Sequence, residues 1–235
     1  MSMYNIKGVI FDYGGTLDTN GVHWFHVFRQ AYAKFLPDVT EAQLREAYVY
    51  AERYLATHRV IETEDDFLAM LRKKVEIQMT QLSSGISLDA EKIAEDCDAH
   101  VRSNMEQTRQ VLDALSARYP MVLVSNFYGN IHAVLRSYRL DSYFKHVIES
   151  AVVGVRKPDP HIFMLGIEAL DLLPEEMLVV GDSYSKDIVP AHTLGCRTLW
   201  LKGLGWDAGN EFPDCSAADA SINDLHEVLV LTSLL

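Results

Sequence analysis

Asp12, Asp182 and Asp187 each close or follow a short apolar run. Singly, each reads as well as a helix cap or a turn former. Taken together, three carboxylates at such positions suit a hard divalent cation such as Mg2+, which accepts a few carboxylate oxygens and keeps several waters. Ser125 and Asn126 end another apolar run, "MVLVSN", and Lys157 stands in "VGVRKPDPHIF", where two prolines stiffen the chain. By themselves, Ser125 and Asn126 read as the start of a turn and Lys157 as a solvated charge. A cation, a hydroxyl, a metal and a carboxylate in one place can hold and attack a phosphoryl group. One feature stands against that chemistry: in "VIFDYGGTLDTNGVHW" the residue two beyond Asp12 is Gly14, where a second carboxylate would complete an acid pair.

Scattered residues act together only if the fold gathers them. The runs "GVIFD", "MVLVSN", "HVIES", "MLVVGD" and "RTLWL" are strand-sized and rich in Val, Ile and Leu, as strands buried on both faces are. Helical spacing lies between them over 106–118, 130–139, 160–171 and 187–194, and Gly195 supplies a stop for the last. The alternation predicts a doubly wound parallel sheet of the Rossmann-like α/β class. Between residues 19 and 103 strand signals vanish and four helical segments follow: "VHWFHVFRQAYAKFL", then "EAQLREAYVYAERYL" behind a Thr40 to Gln43 capping box, "DDFLAMLRKKVEIQMTQL", and "LDAEKIAEDCDAHVRSN". The expected organisation is a core of residues 1–18 and 104–235 with an inserted helical cap over 19–103. Ligands of open α/β sheets bind beyond the carboxyl ends of the strands. Asp12, Ser125 and Asp182 all fall there, beneath the inserted helices.

Composition narrows the partners. A formal net charge of -12 argues against nucleic acid, whose binding relies on Lys and Arg neutralising phosphates, so an anionic small molecule needs a local cationic pocket. The three cysteines, Cys97, Cys196 and Cys215, have no metal-binding spacing and read as free thiols of a reducing compartment. No run of 18 apolar residues or secretory leader is present, so a soluble cytoplasmic protein without a membrane partner is expected. The 49% hydrophobic content suffices for a substantial core.

Four of these motifs, in this order, resemble those of the haloacid dehalogenase superfamily, whose members are mostly phosphohydrolases. "FDYGGTL" is similar to the first family motif, DxDGT; "VLVSN" to the second; "RKPDP" to the third, a lysine; and "VVGDSYSKD" to the fourth, an acidic pair. The insertion resembles the helical C1-type cap. The resemblance implies that Asp12 is a nucleophile forming an aspartyl-phosphate, and that Asp12, the carbonyl of Gly14 and Asp182 hold Mg2+, with Asp187 a further ligand or support. It implies that Ser125 and Lys157 bind phosphoryl oxygens, with Asn126 beside them, and that the substrate is a small phosphorylated metabolite.

The family's general acid and base is the residue that Gly14 replaces, and acid-base assistance contributes about 10²- to 10⁴-fold in rate. Four readings follow. The leaving group needs little protonation or another group stands in, and "DTNGVH" resembles a DTxxxH pattern of capped relatives that marks His23 as a site residue, with His26 one turn on. His23 also reads as an ordinary helix N-terminal residue. Phosphonoacetaldehyde hydrolases of the superfamily carry a small residue at this position and use a cap lysine; here Lys34, Lys73, Lys74 and Lys92 read as solvated. The true dehalogenases need neither metal nor acid but carry a bulky residue at the position of Gly14. Finally, the chain binds a phosphorylated ligand without turning it over.

Three other features read as structural. Trp24, Phe25, Phe28, Tyr32 and Phe35 have helical spacing and are expected to pack the cap. The Gly-rich stretch from Trp200 to Ile222 has no phosphate-binding fingerprint, with Trp206 free to turn toward the site or away. The C-terminal "INDLHEVLVLTSLL" reads as an amphipathic helix on the sheet, and an exposed apolar face there would suggest dimerisation.

Overall fold

The structure, a computed structural model, describes residues 5–82, 88–206 and 215–233. Six strands, β1 (Gly8–Phe11), β2 (Met121–Ser125), β3 (His146–Glu149), β4 (Met177–Gly181), β5 (Arg197–Leu201) and β6 (Ala220–Ile222), form one sheet in the order β3-β2-β1-β4-β5-β6. Every neighbouring pair is parallel. β1, β2 and β4 are buried along their whole length, as expected of apolar runs covered by helices on both faces. In register, Phe11 lies opposite Leu123 on one side and Val180 on the other, so the chain leaves β1, β2 and β4 at nearly the same level. Asp12, Ser125 and Asp182 are thereby brought to one rim.

The helices are α1 (Trp24–Phe35), α2 (Glu41–Thr57), α3 (Phe67–Gln81), α4 (Leu88–Ser116), α5 (Ile131–Tyr138), α6 (Ser150–Val153), α7 (His161–Ala169), α8 (Val189–Thr193) and α9 (Glu227–Ser233). Alternation along β1 sends Ile10 to one face, where it packs with Ile162, Phe163 and Ala191, and Val9 and Phe11 to the other. That second cluster runs without a break from the sheet through α4 and α5 into the cap helices, reaching Phe28, Leu44, Leu71 and Met79. The start of α2 follows the expected box: Thr40 Oγ1 accepts from Gln43 N at 3.3 Å while Gln43 Oε1 accepts from Thr40 N at 3.0 Å. Asp66 caps α3 by accepting from Ala69 N at 2.9 Å.

Two elements differ from the sequence expectation. The segments read as separate helices on either side of residue 105 form the single 29-residue α4. No Gly or Pro interrupts residues 88–116, so nothing breaks the hydrogen-bond ladder, and the division expected at 103/104 falls inside one helix. β6 was not expected, because three residues with an exposed Ser221 between Ala220 and Ile222 carry too little pattern. Of the Gly-rich stretch, residues 207–214 lie outside the described residues, as do 234 and 235 of the C-terminal segment.

Cap and core are joined at several points. Near the first connection, Asn104 Nδ2 donates to the Asp18 carbonyl at 3.1 Å and Thr108 Oγ1 to the Leu17 carbonyl at 2.8 Å. Farther out, Arg136 pairs with Glu64 at 2.7 Å and Asn130 Nδ2 donates to the Asp65 carbonyl at 2.9 Å. At the root of the cap, Gly21 lies against Gly203 beyond β5, and a Cβ at 203 would meet the Gly21 carbonyl oxygen at 2.0 Å. The obstacle is backbone, so no rotamer change relieves it. Gly203→Ala is therefore expected to lower stability by about 1–3 kcal/mol, the usual penalty of overpacking. Urea unfolding checks this, and an unchanged midpoint would show that the two loops part freely.

Candidate active site

The chain leaves β1 at Asp12 and makes one tight turn, Tyr13–Leu17, closed by Asp18 N donating to the Tyr13 carbonyl at 3.3 Å, that brings it back beside β4. Gly15 permits this turn in two ways: its φ is +98°, and a Cβ there would stand 2.4 Å from Asp182 Oδ2. Thr16 then faces both strands. Its hydroxyl donates at long range, 3.3 Å to Asp12 Oδ2 or 3.4 Å to Asp182 Oδ1, and accepts from Asp182 N at 3.0 Å. After β4 a π-helical turn, Tyr184–Ile188, returns Asp187 toward the same place, where its Oδ2 accepts from Ser183 N at 3.0 Å. Trp200 Nε1 donates to the Asp182 carbonyl at 2.8 Å and holds that turn from the β5 side.

Lys157 enters from the loop between α6 and α7. Its Nζ lies 2.6 Å from Asp12 Oδ1 and 2.7 Å from Asp187 Oδ1, and all three residues are buried. Burial opposes the ammonium's charge, but Asp12 and Asp187 outweigh it and raise its pKa, so Lys157 stays charged. Burial also raises Asp12, to about 6, against the opposing pull of Lys157. It raises Asp182 far above the ordinary carboxylate range, with Asp12 and Asp187 adding repulsion. Ser125 is buried at the end of β2, lines the cavity, and its side chain makes no hydrogen bond to another described residue. Asn126 accepts from Lys157 N at 2.9 Å and donates to the Lys157 carbonyl at 3.1 Å. Asn126 lines the cavity as well, and its amide braces the backbone of the lysine.

One carboxylate oxygen from each of Asp12, Asp182 and Asp187 lies within 4.8 Å of the other two. Two ligands on opposite sides of Mg2+ are about 4.2 Å apart, given Mg–O lengths near 2.1 Å. Only small side-chain adjustments separate the cluster from that spacing. With all three ionised, as a bound cation would favour, the carboxylates against one ammonium leave two negative charges, the complement of a divalent cation. With hard oxygen donors only, the residues present fit Mg2+.

Gly14 sits between Asp12 and the cap. The nearest atoms to a Cβ built there are Trp24 Cδ1 and Nε1 at 3.9 Å and Asp18 Oδ2 at 4.0 Å. Asp18 is fully buried, accepts from Gly15 N at 2.7 Å and Trp24 Nε1 at 2.8 Å, and has its pKa pushed up to about 7 by burial. His23 lines the cavity, but its Nδ1 caps α1 by accepting from Phe25 N at 3.2 Å. Burial, and then the charge of Lys186, push its pKa down to about 4. A neutral imidazole at physiological pH is a poor proton donor. His26 does not line the cavity; its Nε2 pairs with the Gly205 carbonyl at 2.8 Å.

The cavity spans about 1380 Å3 between sheet and cap, with Lys157 on its floor and exposed Arg156, Lys186 and Lys202 also on its walls. These are local cations in a chain of net charge -12. Several lining residues were not singled out from the sequence. Lys74, read there as solvated, is buried, pairs with Glu52, and donates to Tyr128 Oη at 3.1 Å. Tyr128 in turn donates to Glu52 at 2.9 Å. Burial opposes the charge on Lys74, but Glu52 and Tyr48 raise its pKa, which keeps it from acting as a free amine nucleophile. Lys34, Lys73 and Lys92 pair with Asp96, Asp65 and Asp89. Trp24, expected only to pack the cap, faces the cavity, and Trp206 turns toward it. Phe25, Phe28 and Tyr32 are core residues, as their spacing suggested.

Comparison with known proteins agrees with this architecture. The chain is 43% identical over 90 residues to the glyceraldehyde 3-phosphate phosphatase of Pyrococcus furiosus, covering 38% of this chain and 37% of that one. It is 36% identical over 96 residues to the phosphoserine phosphatase of Thermus thermophilus, covering 40% and 36%. The chain thus spans little more than a third of the length of these relatives. Over 97% of the chain and 98% of the other, the fold is similar to that of YfnB from Bacillus subtilis, a HAD-type protein solved with bound magnesium, with a TM-score of 0.61 at 16% identity. The sequence profile of the haloacid dehalogenase-like hydrolases matches residues 6–195, and the chain belongs to that family.

Proposed function

We propose that the chain is a Mg2+-dependent phosphatase that hydrolyses a small phosphorylated metabolite through an aspartyl-phosphate on Asp12, without the usual acid at position 14. The observation that carries this reading is the buried group at the sheet rim, in which Lys157 Nζ stands 2.6 Å from Asp12 Oδ1 and three carboxylates converge within 4.8 Å. The family and the names of the two phosphatase relatives support it. The core of residues 1–18 and 104–235 carries the chemistry, and the cap over 19–103 covers it.

In this reading Ser125 and Lys157 hold phosphoryl oxygens, and Asn126 fixes the lysine through its backbone. An Asp12 oxygen attacks phosphorus, the leaving oxygen departs with the bonding pair, and water then attacks the phosphorus of the acyl phosphate to restore the carboxylate. Mg2+, held by Asp12, Asp182 and the Gly14 carbonyl with Asp187 beside it, supplies charge neutralisation for the phosphoryl oxygens. His23, neutral and on the cavity wall, contacts substrate as a hydrogen-bond partner and does not donate a proton.

Turnover of p-nitrophenyl phosphate with Mg2+ tests the reading. Asp12→Asn is expected to lower kcat by on the order of 10³-fold or more, since a missing nucleophile disables the whole unit. EDTA is expected to abolish activity and added Mg2+ to restore it. Inactivity toward a panel of phosphate esters, with phosphate binding retained, would instead make the chain a binding module. A second expectation concerns position 14, where φ is -78° and no atom approaches a Cβ within 3.9 Å. Gly14→Asp is expected to raise kcat on alkyl phosphates by about 10²-fold or more. No gain would mean that another group already supplies the proton.

A further inference from the structure

Gly14 removes the acid, and the surroundings do not replace it. Among the described residues around Gly14, Asp18 is closed to the cavity by burial and binds two donors. The Trp24 N–H is engaged by Asp18, His23 uses Nδ1 as a helix cap, and Lys157 is held between two aspartates. What lies nearest the position of the absent side chain is the edge of the Trp24 indole. In the phosphatase reading the leaving group passes there, since in that reading the residue two beyond the nucleophile meets the leaving oxygen.

Beyond Trp24 the cavity is walled by aromatic rings. Trp24, Tyr48, Phe67, Phe127, Tyr128 and Trp206 all line it. Trp24 stands edge-on to Phe67 at 5.4 Å between centroids, Phe127 lies 5.3 Å from Tyr128, and Tyr48 lies 5.5 Å from Trp206. These rings come from the cap, from the loop after β2 and from the segment after β5. A belt drawn from three separate parts of the chain, lining the same cavity as Asp12 and Gly14, is more than packing of one helix requires.

The two observations answer each other, and we propose that the substrate is a phosphate monoester of an aromatic alcohol, its ring held against Trp24 and the aromatic belt. An aryloxide leaves without a proton donor. The bond from phosphorus to the aryl oxygen breaks with its electron pair on that oxygen as the Asp12 oxygen bonds to phosphorus, and the aryloxide takes its proton from solvent. In the second step the attacking water's hydrogens remain on the released inorganic phosphate or pass to solvent, and Asp12 returns to a carboxylate. The ring supplies apolar area and edge or face contacts to the belt, which prefers aromatic over aliphatic groups. The inference rests on the phosphatase reading above.

The experiment compares kcat/KM, with Mg2+, for phenyl phosphate, cyclohexyl phosphate and hexafluoroisopropyl phosphate. Hexafluoroisopropyl phosphate has a leaving alcohol about as acidic as phenol but has no ring; cyclohexyl phosphate has a ring but an alkoxide leaving group. Phenyl phosphate is expected to exceed hexafluoroisopropyl phosphate by about tenfold through ring contacts. It is expected to exceed cyclohexyl phosphate by about 10²-fold or more, the usual scale of acid assistance. Trp24→Leu and Tyr48→Leu are each expected to lower the phenyl-to-hexafluoroisopropyl ratio by about five- to tenfold, mainly through KM. Hexafluoroisopropyl phosphate turned over as well as phenyl phosphate, cyclohexyl phosphate within tenfold of it, or a ratio unmoved in both variants would overturn the inference while leaving the phosphatase reading intact. Inactivity toward all three esters would overturn both.

Discussion

The structure is organised around burying like charges side by side. Asp12, Asp182 and Asp187 converge on the cavity floor, the first and last buried and Asp182 half-buried, and desolvation raises Asp12 and Asp182, with repulsion between the carboxylates adding to it. A single ammonium, Lys157, bridges Asp12 and Asp187. Leaving such charges unpaired is strongly unfavourable, so the parts that deliver them must be rigid. They are: Asp12 and Asp182 follow fully buried neighbouring strands, and Asn126 clamps Lys157 by both polar groups of its backbone. The same excess of negative charge is what fits the cluster to a divalent cation.

The cap completes this arrangement from the other side. Its apolar cluster is continuous with the sheet face, so the helices are anchored by ordinary burial and not only by polar contacts. Polar groups enter its inner surface in compensated form, as with Lys74, which Glu52 and Tyr128 satisfy within the cavity. Thus the floor is ionic and the roof is aromatic with one paired charge. A ligand that fits both carries charge at one end and apolar area at the other.

Much of the core was legible in the sequence because buried parallel strands leave dense local signals. Five of six strands announced themselves as apolar runs, and their polar last or next residues marked the rim. β6 was not legible, since three residues with one exposed serine have no period to read. The continuity of α4 was hidden by reading its two ends against different partners. At the site, the residues with charge at strand ends were visible, whereas Thr16, Trp24 and Lys74 were not. Their roles depend on which face of a turn or helix meets the cavity, and that depends on contacts with residues far away in sequence. Lys74 is the clearest case: charged neighbours on α3 suggested solvent, yet Gln78, one turn along, is also buried, and the two mark a polar line on an inward face.

The two adjacent glycines of the first loop separate what the fold needs from what the chemistry has chosen. Gly15 is required: its φ is positive and a side chain would collide with Asp182 at 2.4 Å. Gly14 is not: its φ is -78°, its ψ is 114°, and a Cβ would touch nothing closer than 3.9 Å. Backbone geometry and space would admit an acid there, so the glycine cannot be ascribed to folding. Its effect falls on the space beside Asp12, where it leaves the indole edge of Trp24 as the nearest surface. An acid at this position would place a carboxyl close to Asp18, another buried carboxyl, and would need a proton or a donor to remain. Glycine avoids that repulsion and leaves the space between Asp12 and the Trp24 indole open, so this position shapes the cavity and not the fold.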